Sequence, residues 1–393
     1  MSEMKLTIEP KELWARLHGD GEPFFILDVR NAEDAARWRI EGPREVPSVN
    51  VPYFSFIDDE DGAVAQVPAG LGEAVVICAR SHSSELVAEV LRAHGRRALN
   101  LAGGMAAWGD LHVPLLVHRE PAFELWQLNR FGKGCLSYAV LSGGEAAIVD
   151  PSRFADVYES FAREHGVRVV EVLETHVHAD HLSGGAALAA RTGARYRVLE
   201  GAGHEPRLGV EVTPFEDGET ELRLGGAGGI SIGARAIRTP GHTPGSVSYL
   251  VGGRFLLSGD TLFVHGVGRP DLGGHVEEWG RALFSTLRDV VSRFPDEMVV
   301  LPAHFSGARE ESEGGVVRGA LGELRRNAPE LRIASAEEFV AAMKAGVKEP
   351  PVIYGEIMKA NLGLVDPGEK AAEWELGRNE CAATAARRLA ACG

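Results

Sequence analysis

The sequence predicts an α/β chain built from two successive domains, and three observations carry that prediction. Its 393 residues are too many for one domain of roughly 150 and leave ample chain for two buried cores. Residues 4–110 alternate short β-rich runs with helical stretches, the pattern of a parallel sheet flanked by helices. From residue 123 the pattern restarts with consecutive strands, so a second fold begins there.

In the first half the strand runs are Phe24 to Val29, Ala74 to Cys78 and Ala98 to Leu101. Pro10 suits a first helical position ahead of Leu13, Trp14 and Leu17, and Asn31 with Asp34 forms a capping pair. Between His112 and Pro121 two prolines and no clear period mark a linker. The expected division is 1–117, 118–349 and a C-terminal tail, 350–393, partly helical and packed on the second domain.

Composition excludes several functions. Forty-one basic against fifty-six acidic residues give a net charge of −15, which repels phosphate backbones and anionic lipid. Nucleic acid and membrane are therefore not expected partners. No apolar run approaches the ~18 residues of a membrane helix, and the charged start MSEMKLTIEP is unlike a signal peptide. A cytoplasmic chain, compatible with a homo-oligomer, is expected. Four scattered cysteines, Cys78, Cys135, Cys381 and Cys392, form no C-x-x-C pair, so any functional cysteine acts as a single reduced thiol.

Cys78 stands where an apolar strand ends, before a short polar loop and a helix from about Ser83. Loop amides and the positive helix end converge there on a sulfur anion, and Arg80 adds a full charge. The stretches ILDVRNAEDAARWRIEG, NVP at 50–52, the Cys78 loop and LNLAGGMAAWG at 99–109 resemble the rhodanese family. That resemblance implies a sulfane sulfur carried on Cys78, cradled by Ala79 to Ser83, with Arg80 beside it. A related phosphatase would carry arginine six positions on, where this chain has Ser84.

The second half carries Thr175-His176-Val177-His178-Ala179-Asp180-His181 directly after an apolar strand. Three imidazoles and a carboxylate so close together offer nitrogen and oxygen ligands for a first-row metal. Alternation puts His176 and His178 on one side, and Asp180 and His181 turn towards a second position. His242 in TPGHTPGS, Asp260 in LLSGDTLF and His304 in VVLPAHFSG add donors from distant loops, with glycines beside His242 read as letting backbone approach the metal. Cys135, amid apolar residues, reads as core.

Together with Asp150 in IVD, these motifs resemble the metallo-β-lactamase fold from about Leu125 to Gly346, which implies an αβ/βα sandwich. Two subfamilies then compete. A two-metal thioester hydrolase of the glyoxalase II kind, with two zinc or mixed metals, uses all seven of His176, His178, Asp180, His181, His242, Asp260 and His304. Gly268-Arg269-Pro270-Asp271 and Pro302-Ala303-His304-Phe305 look instead like the persulfide dioxygenase branch. That branch implies one Fe(II) per chain on His176, His242 and Asp260, with positions left for dioxygen and a substrate sulfur; His178, Asp180, His181 and His304 then orient the ligands.

Arg269 is a candidate for gripping a substrate carboxylate, the alternative being an ion pair with Asp271. The expected activity is oxidation of a low-molecular-weight thiol persulfide, such as glutathione persulfide, to sulfite, coupled to sulfur transfer to or from thiosulfate. The stretch ELGRNECAA resembles the ends of bacterial fusions of these domains.

Overall fold

The computed structural model describes residues 6–199, 203–205, 212–215, 220–224, 232–345 and 349–381. The first half folds around a five-stranded sheet in which every pairing is parallel, with Glu73–Ile77 between Phe24–Asp28 and Ala98–Leu101. Helix Pro10–His18 starts on its proline, and Asn31 accepts from the amide of Asp34 to open helix Ala32–Arg37. Both starts are local: proline loses no hydrogen bond at a position whose N–H is free anyway, and the Asn31 side chain satisfies an orphan donor.

The second half is a sandwich of a seven-stranded and a six-stranded mixed sheet. Leu125, Tyr138, Val149 and Leu173 from one sheet meet Ala236, Tyr249, Leu257 and Leu301 from the other in one buried cluster. Helices Ala155–Glu164 and Gly185–Thr192 cover the outer face of the first sheet, and Val276–Ser285 covers the second. Four layers result, with helices outside.

The linker expected between His112 and Pro121 is a strand, Val113–Arg119, paired with Glu124–Arg130 at the edge of the seven-stranded sheet. Alternation was hidden because the register shifts between Leu116 and His118, and an edge strand tolerates Pro114. The halves also touch closely. Trp38 donates to the carbonyl of Gly132 at 2.8 Å, and Arg130 to that of Gly109 at 2.7 Å. A Cβ at Gly132 would lie 2.5 Å from the Trp108 carbonyl oxygen, so only glycine permits this approach.

The C-terminal segment is helical at Ile353–Asn361 and Ala371–Trp374, and it clamps the loop that follows strand Arg168–Leu173. Asn361 donates to the carbonyls of His178 and His181 at 2.8 and 2.9 Å and accepts from the Ser183 amide at 2.8 Å. Glu375 accepts from the Leu182 amide at 2.7 Å, from Arg153 at 2.6 Å and from Arg130 at 3.1 Å. Asn379 donates to the carbonyls of Lys133, Gly134 and Phe305. Three buried polar side chains thus hold three backbone loops, which is how buried polar groups contribute to a unique arrangement. Cys392 and the rest of 382–393 lie outside the described residues.

Burial alone would raise the Glu375 carboxyl, but Arg130 and Arg153 outweigh it and hold it down at about 2. A carboxyl depressed in the folded state stabilises it above the ordinary unfolded value, and that stabilisation is lost as pH falls from about 4.5 towards 2. The shift corresponds to about 3 kcal/mol. Glu375→Gln is expected to lower unfolding free energy by about that much at pH 7, with the gap to wild type narrowing below pH 4.5. Urea unfolding at pH 7, 4 and 3 checks this; a pH-independent difference would contradict it.

Candidate metal centre

The site lies where strands of both sheets end. The histidine-rich loop follows Arg168–Leu173, His242 follows Ile232–Arg238, Asp260 follows Phe255–Gly259 and His304 follows Val299–Pro302. The last two strands are parallel neighbours, so Asp260 and His304 emerge side by side. Asp150, at φ +50° after Glu145–Val149, receives the Thr175 amide at 2.6 Å and its hydroxyl at 2.8 Å. These bonds fix the start of the histidine loop.

His176, His242 and Asp260 are buried and converge, with donor atoms within 4.8 Å of one another. The Nε2 atoms of His176 and His242 lie 3.8 and 3.5 Å from Asp260 Oδ2. His242 Nδ1 bonds the Arg269 carbonyl at 2.9 Å, and His176 Nδ1 bonds the Thr175 hydroxyl at 2.9 Å. Each Nδ1 partner turns the Nε2 lone pair inward, the arrangement that orients ligating imidazoles. Among the described residues, His176 Nε2 and Asp260 Oδ2 are buried without a hydrogen-bond partner, a costly state that a bound cation relieves. Two neutral imidazoles and one carboxylate gathered this closely fit a first-row metal ion.

Charge follows the same division. Burial, reinforced by His178 and His242, keeps His176 well below its ordinary value, and burial lowers His242 against the pull of Asp260. Both therefore present neutral nitrogens, as metal binding requires. Burial would raise Asp260, yet His304 outweighs it and keeps the group ionised.

The remaining predicted residues form a second layer of contacts. His178 Nε2 lies 3.2 Å from Asp150 and 3.5 Å from Glu174; burial opposes its charge, but the two carboxylates push it up to about 10. Asp180 Oδ1 is 3.1 Å from both His181 Nδ1 and His304 Nε2. His304 Nδ1 meets Asp260 at 2.6 Å. His304 thus bridges Asp180 and Asp260.

Two cysteines join this cluster against expectation or beyond it. Cys135, read as core, is buried but donates to Asp180 Oδ2 at 3.2 Å, and its backbone bridges to His304. With Asp180, His181 and His304 it forms a four-donor group. Cys381 lies with Asp260 and His304, delivered there by the C-terminal clamp. The apolar neighbours of Cys135 in sequence gave no sign of this, because its contact is made across the sheet.

Arg269 makes a bidentate ion pair with Asp271 at 2.7 and 2.8 Å, while its carbonyl holds His242. The expectation for the glycines beside His242 needs correcting at Gly241. A Cβ there would meet the backbone of Leu283 at 2.4 Å, so Gly241 admits a helix rather than a metal.

The Cys78 loop is a separate structure. Cys78 Sγ accepts from the Ser81 amide at 3.0 Å and the Ser84 hydroxyl at 3.1 Å, donors of the kind a sulfur anion accepts. Helix His82–Ala93 follows, with Ser81 at φ 92°. The amides of Met105 and Ala106 bond the carbonyls of Cys78 and Ala79, and Gly104, at φ +58°, passes so close that a Cβ would lie 2.4 Å from the Cys78 oxygen. Arg80 is exposed.

Residues 9–111 match the rhodanese-like domain and residues 130–312 match the metallo-β-lactamase superfamily. The chain is 33% identical over 279 residues to the hydroxyacylglutathione hydrolase of Anaeromyxobacter dehalogenans (strain 2CP-C), spanning 68% of this chain and 96% of that one. It is 26% identical over 220 residues to the mitochondrial persulfide dioxygenase ETHE1 of Mus musculus, spanning 54% and 77%. Among solved structures it resembles a metallo-β-lactamase from Staphylococcus aureus subsp. aureus COL, with TM-score 0.55, 26% identity and coverage of 62% and 74%. It also resembles ETHE1 from Myxococcus xanthus, with TM-score 0.50, 25% identity and coverage of 64% and 98%. With buried histidine and aspartate donors gathered at the strand ends of the sandwich, the chain belongs to the metallo-β-lactamase superfamily and bears an N-terminal rhodanese-like domain.

Proposed function

We propose that the chain is a persulfide dioxygenase with sulfurtransferase activity, holding one Fe(II) on His176, His242 and Asp260. The observation that carries this reading is the division of donors. His176 Nε2 and Asp260 Oδ2 carry no hydrogen bond and converge with His242, whereas His178 Nε2 and His304 Nε2 face the carboxylates of Asp150 and Asp180 and Asp180 is contacted on both oxygens by Cys135, His181 and His304. Two imidazoles and one carboxylate with open positions are the donor set of non-haem iron oxygenases. When bound, such an ion supplies the redox chemistry towards dioxygen that zinc lacks.

The chain's own residues do the rest. Thr175 and the Arg269 carbonyl fix the two imidazoles, and His304 shares Asp260 with Asp180 and can hold a proton between them. All three donors are buried, which limits their contact with bulk water. The substrate is a low-molecular-weight thiol persulfide, such as glutathione persulfide, and the products are sulfite and the thiol. Cys78 carries sulfane sulfur between persulfide and sulfite, making or consuming thiosulfate, in a cytoplasmic setting. Similarity to ETHE1 and the matching rhodanese-like domain support the pairing of these steps.

A thioester hydrolase with two metals is the second reading. It is favoured by the 33% identity to a hydroxyacylglutathione hydrolase and by the donor group of Cys135, Asp180, His181 and His304.

Asp260→Ala is expected to lose the iron and persulfide-dependent oxygen uptake together, since a three-ligand site does not survive loss of a member. Elemental analysis of anaerobically purified protein, paired with an oxygen electrode, checks this; full iron and full rate would contradict it. His304→Ala is expected to keep a metal and lose activity only in part. Release of one of two bound metals would instead favour the hydrolase.

Cys78→Ser is expected to abolish thiosulfate formation and use while largely sparing oxygen uptake, because a hydroxyl cannot carry sulfane sulfur. Sulfite and thiosulfate are quantified beside oxygen. Loss of both activities in folded, iron-loaded protein would show that Cys78 supplies the metal centre.

A further inference from the structure

The five-stranded sheet divides its side chains between two cores. Ile26, Val75 and Ile77 point to the side on which Leu13, Trp38 and Trp108 join the core of the sandwich. Phe25, Leu27 and Val76 point to the other side, where helices Tyr53–Asp58 and His82–Ala93 bury Phe56, Val87, Ala88 and Leu91. The outer face of such helices is ordinarily polar. Here Phe54, Ile57 and Leu86 stand on it, 72%, 62% and 50% exposed.

Phe54 and Ile57 are three positions apart and so share one helix face, forming an apolar ridge on the side of the molecule turned away from the sandwich. Exposed apolar ridges with a polar border mark contact sites. This border is acidic. Asp58, Asp59, Glu60 and Asp61 follow the ridge directly, Glu85 and Glu89 flank Leu86, and all six are exposed. Asp59 caps helix Glu60–Gln66 and Asp61 meets His94 at 3.2 Å. Among the described residues Asp58, Glu85 and Glu89 have no partner.

A recess of the opposite character lies elsewhere on the same molecule. A cavity of about 550 Å³ opens between the segment around Trp38 and the C-terminal clamp, with Trp38, Trp374 and Leu376 as apolar lining. Arg37, Arg80 and Lys370 also line it; they are exposed and have no carboxylate partner among the described residues. Arg30 is paired with Asp28 at 2.6 Å. The acidic groups there, Asp34 and Glu373, are outnumbered.

We propose that the chain binds a second copy of itself, the Phe54 and Ile57 ridge of one copy entering the cavity of the next while its acidic border meets Arg37, Arg80 and Lys370. Charge selects this occupant. In a chain of net charge −15 most of the surface of a second copy repels an acidic ridge, and a basic recess is where approach is favoured. Ridge and recess lie on different sides of the molecule, so the contact is heterologous: copies join head to tail, closing into a ring or extending as a chain. Neither the metal nor a reaction at Cys78 is needed for it.

Sedimentation velocity of the full-length protein over a wide range of concentration tests this. The ridge variants are Phe54→Ser/Ile57→Ser and, with the apolar side chains kept, Asp58→Lys; the recess variant is Arg37→Glu/Lys370→Glu. All five positions are exposed, and circular dichroism checks folding. Wild type is expected to associate as concentration rises, and each variant alone to associate more weakly by roughly tenfold or more. An equimolar mixture of Phe54→Ser/Ile57→Ser with Arg37→Glu/Lys370→Glu is expected to form dimers and stop there, because it retains one intact ridge and one intact recess. A monomeric wild type at every concentration would overturn the proposal and leave the ridge to a different protein. Association of either double variant at wild-type strength, or a mixture that stays monomeric or grows past the dimer, would overturn it as well.

Discussion

Asp150, Glu174, Asp180 and Asp260 lie buried together with His176, His178, His181, His242 and His304. Isolated, any of those charges would cost several kcal/mol to bury. They are tolerable only as a matched set: His178 between Asp150 and Glu174, and His304 between Asp180 and Asp260. His176, His242 and the second oxygen of Asp260 then face a common point. Hence the architecture must bring the ends of several strands to one place, and every loop there must be held against relaxation. The sandwich does the first task and the C-terminal segment the second.

Much of this was legible in the residues. The histidine loop announces itself because its donors are adjacent, and His242, Asp260 and His304 each end a readable apolar run with glycine or proline nearby. Pro10, Asn31 and the strand before Cys78 are likewise local signals with local physical causes. What escaped reading depends on contacts between distant segments. Glu375 meets Arg130, Leu182 and Arg153 across 193 to 245 residues, and no window of sequence contains the partners. Cys135 and Cys381 look like ordinary apolar positions until the sheets are stacked. Strand Val113–Arg119 was obscured because a shifted register erases the alternation by which strands are recognised.

The clamp also gives the two centres a common neighbour. Arg130 reaches Gly109 and Asp110 on one side and Glu375 on the other. Gly109 and Asp110 end helix Gly104–Asp110, whose first turn bonds the Cys78 loop. Glu375 in turn holds the amide of Leu182, next to His181. One buried guanidinium therefore touches both halves, and its burial obliges each of them to supply an acceptor.

The apolar cluster that contains Leu13, Ile26, Val75 and Trp108 of the parallel sheet runs without a break into Val113, Phe131, Leu136 and Phe305 of the sandwich. Severing the chain at the seam would leave matching greasy surfaces on both fragments, each prone to self-association before it could refold. The pair is thus less a tandem of exchangeable modules than a single inherited body. Grafting either half onto another scaffold would require redesigning the face that the other half now covers.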